Sequence, residues 1–218
     1  MDITWVGHAA FRLRNSQTQL FMDPFDSSVG LKIPPALASA DLVTSSSSNS
    51  AHGHIEALSG NPSIISISEP GEYEIAGLNI KGIRTKRGNE ETDEVDWNTI
   101  FTFEMDGISI CHLGNPGERL TGKQIEELSS PQILLLPVGS KDGISSLDAV
   151  DLVNNISPKV VIPMMYAHEG NKIDLGAVST FLQEVGLTKP EPVNRLTFTK
   201  TSLPEEPTLA LLIPAATT

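Results

Sequence analysis

Asp41-Leu42-Val43-Thr44-Ser45-Ser46-Ser47-Ser48-Asn49-Ser50-Ala51-His52-Gly53-His54 is the stretch whose reading decides the fold. An apolar run stops abruptly in small polar residues and ends on two histidines, which is how a strand delivers side chains to a site at a sheet edge. Taken alone, a serine-rich tract of this kind also suits a solvated connection. Its neighbours in the chain separate the two readings.

Toward the N-terminus, residues 3–6, 11–14 and 19–22 are short β-type runs divided by Gly7-His8 and Asn15-Ser16, a β-meander. The third run ends in Asp23-Pro24-Phe25, where the carboxylate is either a turn former or a group facing a site from behind its primary ligands. Residues 40–44 form the strand that opens onto the serine-rich tract. Toward the C-terminus, 63–68 alternates Ile with Ser, and 72–83 reads as a hairpin around Ala76-Gly77. A polar, charged loop is expected over 84–96, with Lys86 near its start. Residues 98–104 and 108–113 pair across Met105-Asp106-Gly107, because Asp-Gly is the strongest short hairpin signal.

The period then changes. Helices are expected over 121–128, with Thr121 as N-cap, over 147–156, and over 174–185, capped by Asp174 and closed by Gly186. Buried strands are expected at 133–138 and 160–164, with closing strands at 196–199 and 208–213. Strands first and alternating strands and helices later imply two sheets packed face to face with helices outside. The expected architecture is an α/β (α+β) four-layer αββα sandwich forming a single domain over 1–218.

A length of 218 residues with 39% hydrophobic and 19% charged residues suits one substantial core. The net charge of -12 opposes a phosphate-backbone partner, so no nucleic acid is expected. No apolar run reaches the roughly 20 residues of a membrane span, and a β-type run begins at the N-terminus without a signal region, so a cytoplasmic protein without a membrane partner is expected. The lone Cys111 fits a reducing compartment and reads as a buried core thiol.

Several segments together resemble the metallo-β-lactamase-fold hydrolases, and more narrowly the branch of L-ascorbate-6-phosphate lactonases. They are Ile3-Thr4-Trp5-Val6-Gly7-His8-Ala9, Met22-Asp23-Pro24-Phe25, Ala40-Asp41-Leu42-Val43-Thr44, Glu69-Pro70-Gly71-Glu72-Tyr73-Glu74, Asn98-Thr99-Ile100, His112-Leu113-Gly114, Leu134-Leu135-Leu136-Pro137-Val138-Gly139 and Pro158-Lys159-Val160-Val161-Ile162-Pro163-Met164, in family order. The resemblance implies a metallo-β-lactamase fold and one or two Zn-like or Mn-like ions, whose bound hydroxide attacks an ester, lactam, lactone or phosphodiester.

The ligand positions implied by that resemblance are altered. A His-x-His-x-Asp-His motif placed from the Asp-Leu-Val strand falls on Ser47, Asn49, Ala51 and His52. The later positions fall on Lys86 or Arg87, on Asn115 and on Met165. Serine and asparagine are weak neutral ligands, alanine offers nothing, methionine is a poor zinc partner, and a cationic side chain repels the ion. No metal cofactor is therefore expected.

Three uses of the cleft remain. A displaced metal site would recruit His52 and His54, two apart on an extended segment, with His8 or His112. Metal-free catalysis would pair Ser47 with Lys86 as base. Binding without chemistry would use Ser47, Asn49, His52, Lys86, Asn115, Met165 and Tyr166, with His8, Asp23 and His54 at hand, to hold a small polar or anionic ligand. The sequence favours the third: a non-hydrolytic homologue with a binding, regulatory or structural role, compatible with association between copies. The competing expectation is a hydrolase of a lactone, ester or phosphodiester, working through a rearranged metal site or the Ser47/Lys86 pair.

Overall fold

The computed structural model describes residues 1–58, 63–87 and 96–217. The meander forms as expected: β1 (Asp2–Gly7), β2 (Ala10–Arg14) and β3 (Gln19–Met22) pair antiparallel in chain order. Then β4 (Leu42–Thr44) and β5 (Ile65–Ile67) add in parallel to β3, and β12 (Leu196–Thr197) closes the other edge against β1. Side-chain alternation sends Ile3, Phe11, Leu13, Leu20 and Leu42 to one face, and Val6, Ala10, Phe21 and Val43 to the other. Both faces are apolar, so both must be covered.

The second sheet runs β13-β11-β10-β9-β8-β7-β6. Its antiparallel half comprises β6 (Gly71–Ile75), β7 (Leu78–Arg87), β8 (Asp96–Met105) and β9 (Ile108–His112). The turns are where the sequence puts them: Ala76 and Gly77 have φ of 53° and 75°, and Asp106 and Gly107 have 54° and 74°. Consecutive positive φ values match the right-handed twist of a hairpin. The parallel half, β9, β10 (Ile133–Pro137), β11 (Val160–Met164) and β13 (Thr208–Leu209), is linked by helical crossovers. Every residue of β10 and β11 is buried, as parallel strands covered on both faces require.

The inner faces of the two sheets merge in one large apolar cluster that includes Trp5, Phe11, Phe101 and Leu135. Outside the second sheet lie α2 (Gly122–Glu127), α3 (Ser146–Ile156) and α4 (Val178–Glu184). Thr121 caps α2 in a reciprocal capping box with Gln124, and Ser145 caps α3. The outer layer over the first sheet is thin. Phe21, Phe25 and Val43 are covered there by loop, short 3-10 turns and the single-turn helix α1 (Ser50–Gly53). Among the described residues no helix is long and apolar enough to cross a membrane.

Three boundaries differ from expectation. Helix α4 starts at Val178 rather than Asp174, because residues 174–176 are held against the neighbouring loop: Leu175 bridges Ser140, and Gly176 N–H donates to Gly139 O at 2.7 Å. The expected loop 84–96 is shorter, since β7 continues to Arg87 and β8 begins at Asp96; residues 88–95 lie outside the described residues. The closing strands contract to two residues each, with Val193 and Leu212 joined by an isolated bridge.

Truncating Leu135, fully buried in the central strand β10, should lower the unfolding free energy by about 2–5 kcal/mol. Leu147→Ala, at a side chain 65% exposed, should change it by less than about 0.5 kcal/mol. Urea titrations of the two variants beside the wild type measure both.

Candidate functional site

The polar groups gather at the strand ends. His8 follows β1, Asp23 follows β3, Ser45–Ser47 follow β4, Arg87 ends β7, and Asn115, Ser140 and Met165 lie beyond β9, β10 and β11. The C-terminal edge of parallel strands is where open α/β sheets place their sites. His8, Asp23 and Met165 hold left-handed backbone, with φ of 52°, 48° and 53°, a conformation that non-glycine residues keep only when their surroundings enforce it. Part of that enforcement is a hinge point between the sheets: His8 O accepts from Met165 N at 3.1 Å and from Trp5 Nε1 at 3.0 Å.

Asp23 is fully buried, and its carboxylate accepts from Ser46 N at 2.7 Å, Ser46 Oγ at 2.5 Å and His52 Nδ1 at 2.7 Å. Burial pushes the carboxyl pKa up. The neighbouring His112 and the hydrogen bonds from His52 and Ser46 outweigh burial and hold it below the ordinary carboxylate range. The ionised carboxylate can only accept, so His52 Nδ1 donates in this bond, and His52 Nε2 is buried with no hydrogen-bond partner among the described residues. The His52 ring lies 5.1 Å from that of His8. Burial, helped by His52 and Arg87, lowers His8 to about 3, so it is neutral at physiological pH.

Asn98 ties the second sheet to the same point. Its Nδ2 donates to Thr85 Oγ1 and Leu113 O, both at 2.9 Å, and its Oδ1 accepts Asn115 N at 2.7 Å. Thr99 N donates to Ser46 O at 2.7 Å, so the serine tract is clamped from both sheets. Gly114 is required here: a Cβ would fall 2.2 Å from Asn98 Oδ1 and 2.4 Å from Ser46 Cβ.

A cleft of about 390 Å³ opens beside this cluster, lined in part by His8, Asn49, Ala51, Arg87, Asn115 and Met165. Those are sequence-expected positions, with Arg87 in place of Lys86. Strand alternation separates the two cations: Lys86 is exposed opposite Trp97, while Arg87, with a side chain 15% exposed, turns inward opposite Asp96. Ser47 and Tyr166 are buried away from the cleft lining. Ser47 Oγ accepts from Asn49 N at 3.2 Å, and Tyr166 packs on Trp5 with ring centroids 4.9 Å apart. The Ser47/Lys86 pair expected as one catalytic option is therefore not assembled.

Nor do His52 and His54 form a chelate. The segment is helical, not extended: Asn49 caps α1 by accepting from Ala51 N at 2.9 Å, His52 turns to Asp23, and the half-buried His54 faces Glu56. Cys111 is fully buried among core residues, and desolvation pushes its thiol up. Sequence reasoning missed Ser46, Asn98, Ser140 and the Lys141–Asp174 ion pair at the cleft. The parity of β7 could have separated Arg87 from Lys86 had the end of the strand been legible.

The model of the β-lactamase superfamily domain matches residues 2–165. The chain belongs to the metallo-β-lactamase superfamily. Curated relatives include the UPF0173 metal-dependent hydrolases of Methanopyrus kandleri and Archaeoglobus fulgidus. The first is 30% identical over 197 residues, spanning 76% of this chain and 84% of the relative; the second is 30% identical over 198 residues, spanning 76% and 83%. A crystal structure of a superfamily member from Thermotoga maritima superposes with a TM-score of 0.76 at 34% identity, covering 97% of each chain. Igni18, a metallo hydrolase from Ignicoccus hospitalis, shares the fold at a TM-score of 0.66 and 18% identity, covering 91% of this chain and 99% of the other.

Whether the family's ion fits these residues is a question of donors. Apart from the His52 imidazole, the positions implied by the family motif offer a hydroxyl, two amides, a methyl, a thioether and a guanidinium. Among the described residues no group of three or more His, Cys, Asp or Glu is arranged to hold a metal ion. A hard or borderline dication needs several imidazole or carboxylate ligands to offset its dehydration, and this set does not supply them.

Two predictions follow from the buried cluster. Asp23→Ala strands His52 Nδ1 and Ser46 N without an acceptor and should cost about 3–5 kcal/mol in urea unfolding, against almost nothing for Ser48→Ala at an exposed position. The lowered pKa of His8 makes the fold acid-sensitive. The unfolded chain takes up that proton near 6.5 and the folded chain only near 3, so stability is lost as pH falls through this window. The slope is about 1.4 kcal/mol per pH unit for each such histidine, and His112, lowered by burial, adds in the same direction. Unfolding free energies measured from pH 7 to pH 4 should decline, and His8→Gln should flatten the curve; a flat wild-type profile contradicts this assignment.

Proposed function

We propose that this chain is a non-hydrolytic member of the superfamily, whose cleft binds a small polar or anionic ligand without a catalytic metal. The observation that carries this reading is the Arg87 guanidinium in the cleft, at one of the positions where the resemblance to lactonase-like enzymes calls for a metal ligand. A guanidinium keeps its charge at any physiological pH, so it repels a dication across the short distances of a cleft and offers no lone pair to bind one. The cleft lining points the same way, with Asn49, Ala51, Asn115 and Met165 at positions where the resemblance calls for imidazoles and carboxylates.

A second reading has its own support. The curated relatives are named metal-dependent hydrolases, and the Asp23–His52 pair leaves His52 Nε2 without a hydrogen-bond partner among the described residues. An imidazole oriented by a carboxylate is a general base, and an arginine is a stabiliser of developing oxyanions. On that reading a water replaces the metal-bound nucleophile.

Elemental mass spectrometry on protein expressed with added zinc and manganese, combined with turnover assays on lactones, esters and phosphodiesters, separates the two. The binding reading expects substoichiometric metal and no turnover above that of His52→Ala. Stoichiometric metal, or turnover that disappears in His52→Ala, contradicts it.

A further inference from the structure

The Arg87 side chain is enclosed and, among the described residues, only partly matched. Its Nε lies 3.9 Å from Asp96 Oδ2, beyond hydrogen-bond reach, and its Nη1 is buried with no hydrogen-bond partner among the described residues. Asp96 balances its charge at ion-pair distance, and a buried charged donor whose hydrogen-bonding capacity is unfilled is costly unless water or a ligand completes it. Among the described residues that line the cleft or adjoin it, no interior carboxylate is free. Asp23 is already committed to Ser46 and His52, Asp174 is paired with Lys141, and Asp142 is exposed at the mouth.

We propose that the cleft is a binding site for a small oxyanion, a carboxylate or phosphate group, seated on the Arg87 guanidinium. The planar fork of Arg matches two oxygens of either group. Around it are neutral groups suited to the rest of a small molecule: the His8 imidazole and the Asn115 amide, whose Oδ1 has no hydrogen-bond partner among the described residues. The volume of about 390 Å³ lies within the range of metabolite pockets. The chain's net charge of -12 gives a repulsive far field, so the site discriminates against polyanions and admits small ones. This inference rests on the reading of the cleft as a metal-free binding site.

The test is titration of the metal-free protein with inorganic phosphate and, separately, malonate, followed by calorimetry and by the Arg Nε–H and His ring signals in NMR spectra. Saturable binding of at least one probe is expected, with the Arg87 and His8 signals moving together. Arg87→Gln should weaken it at least about tenfold and Arg87→Lys, which keeps the charge but loses the fork, by a smaller factor. Lys86→Gln, on the opposite face of the strand, should bind as the wild type does. Which probe binds separates the phosphate from the carboxylate source. Absence of binding by both probes overturns the proposal, as does undiminished binding in Arg87→Gln or an equal loss in Lys86→Gln. Should Arg87→Gln fail to fold by circular dichroism, Arg87→Lys decides, and wild-type affinity there overturns the forked seat. Metal loading or turnover in the earlier assays would sink the non-hydrolytic reading alone, because these titrations use the metal-free chain.

Discussion

A single buried carboxylate organises the polar half of this molecule. Asp23, at the end of β3, gathers the backbone and hydroxyl of Ser46 and the imidazole of His52, and so fixes the path of the chain after β4. An ionised carboxylate without water must be matched donor by donor, and here three donors meet it at 2.5–2.7 Å. The left-handed backbone at Asp23 is part of the same arrangement, since it turns the side chain back toward the serine tract. Ser46 then passes the constraint across the molecule: its carbonyl accepts Thr99 N, and its Cβ occupies the space that makes Gly114 obligatory. The cleft walls are thereby set by contacts between the two sheets rather than by either sheet alone.

Such a pairing of carboxylate and histidine is how proteins orient an imidazole toward a metal ion. This chain has such a pair, while the positions where the resemblance places the other ligands carry Ser47, Asn49, Ala51, Asn115 and Met165. Arg87 brings a fixed positive charge into the same cleft. The proposal that joins these facts is a fold held by a buried hydrogen-bond cluster beside a cleft whose fixed positive charge suits an anion. The curated relatives carry hydrolase names and the fold is shared with a superfamily member of known structure, so the proposed difference in chemistry rests on the cleft residues alone.

Much of the fold was legible because alternation, turn chemistry and capping agree locally: Asp106-Gly107 makes its hairpin, Thr121 makes its capping box, and 133–137 and 160–164 are the buried strands their composition implies. What failed depended on partners distant in sequence. Asp174 looks like an N-cap, yet residues 174–176 are spent on the loop at Ser140 and Gly139, so α4 begins later. His52 and His54 look like a chelating pair only if the segment is extended; the Asn49 cap makes it helical and turns them apart. Lys86 and Arg87 differ by one residue, and in a strand one residue is a change of face. No local signal fixed that parity, because β7 runs on into residues that read as a polar loop.

The proposed metal-free cleft implies that His52, bonded to Asp23 through Nδ1, binds no metal ion. Nitrogen NMR of the histidine rings, recorded as zinc is added, tests it most directly. The proposal predicts a His52 Nε2 resonance that does not move when zinc reaches one equivalent. A zinc-dependent shift of the His52 Nε2 resonance that saturates at that stoichiometry would contradict it.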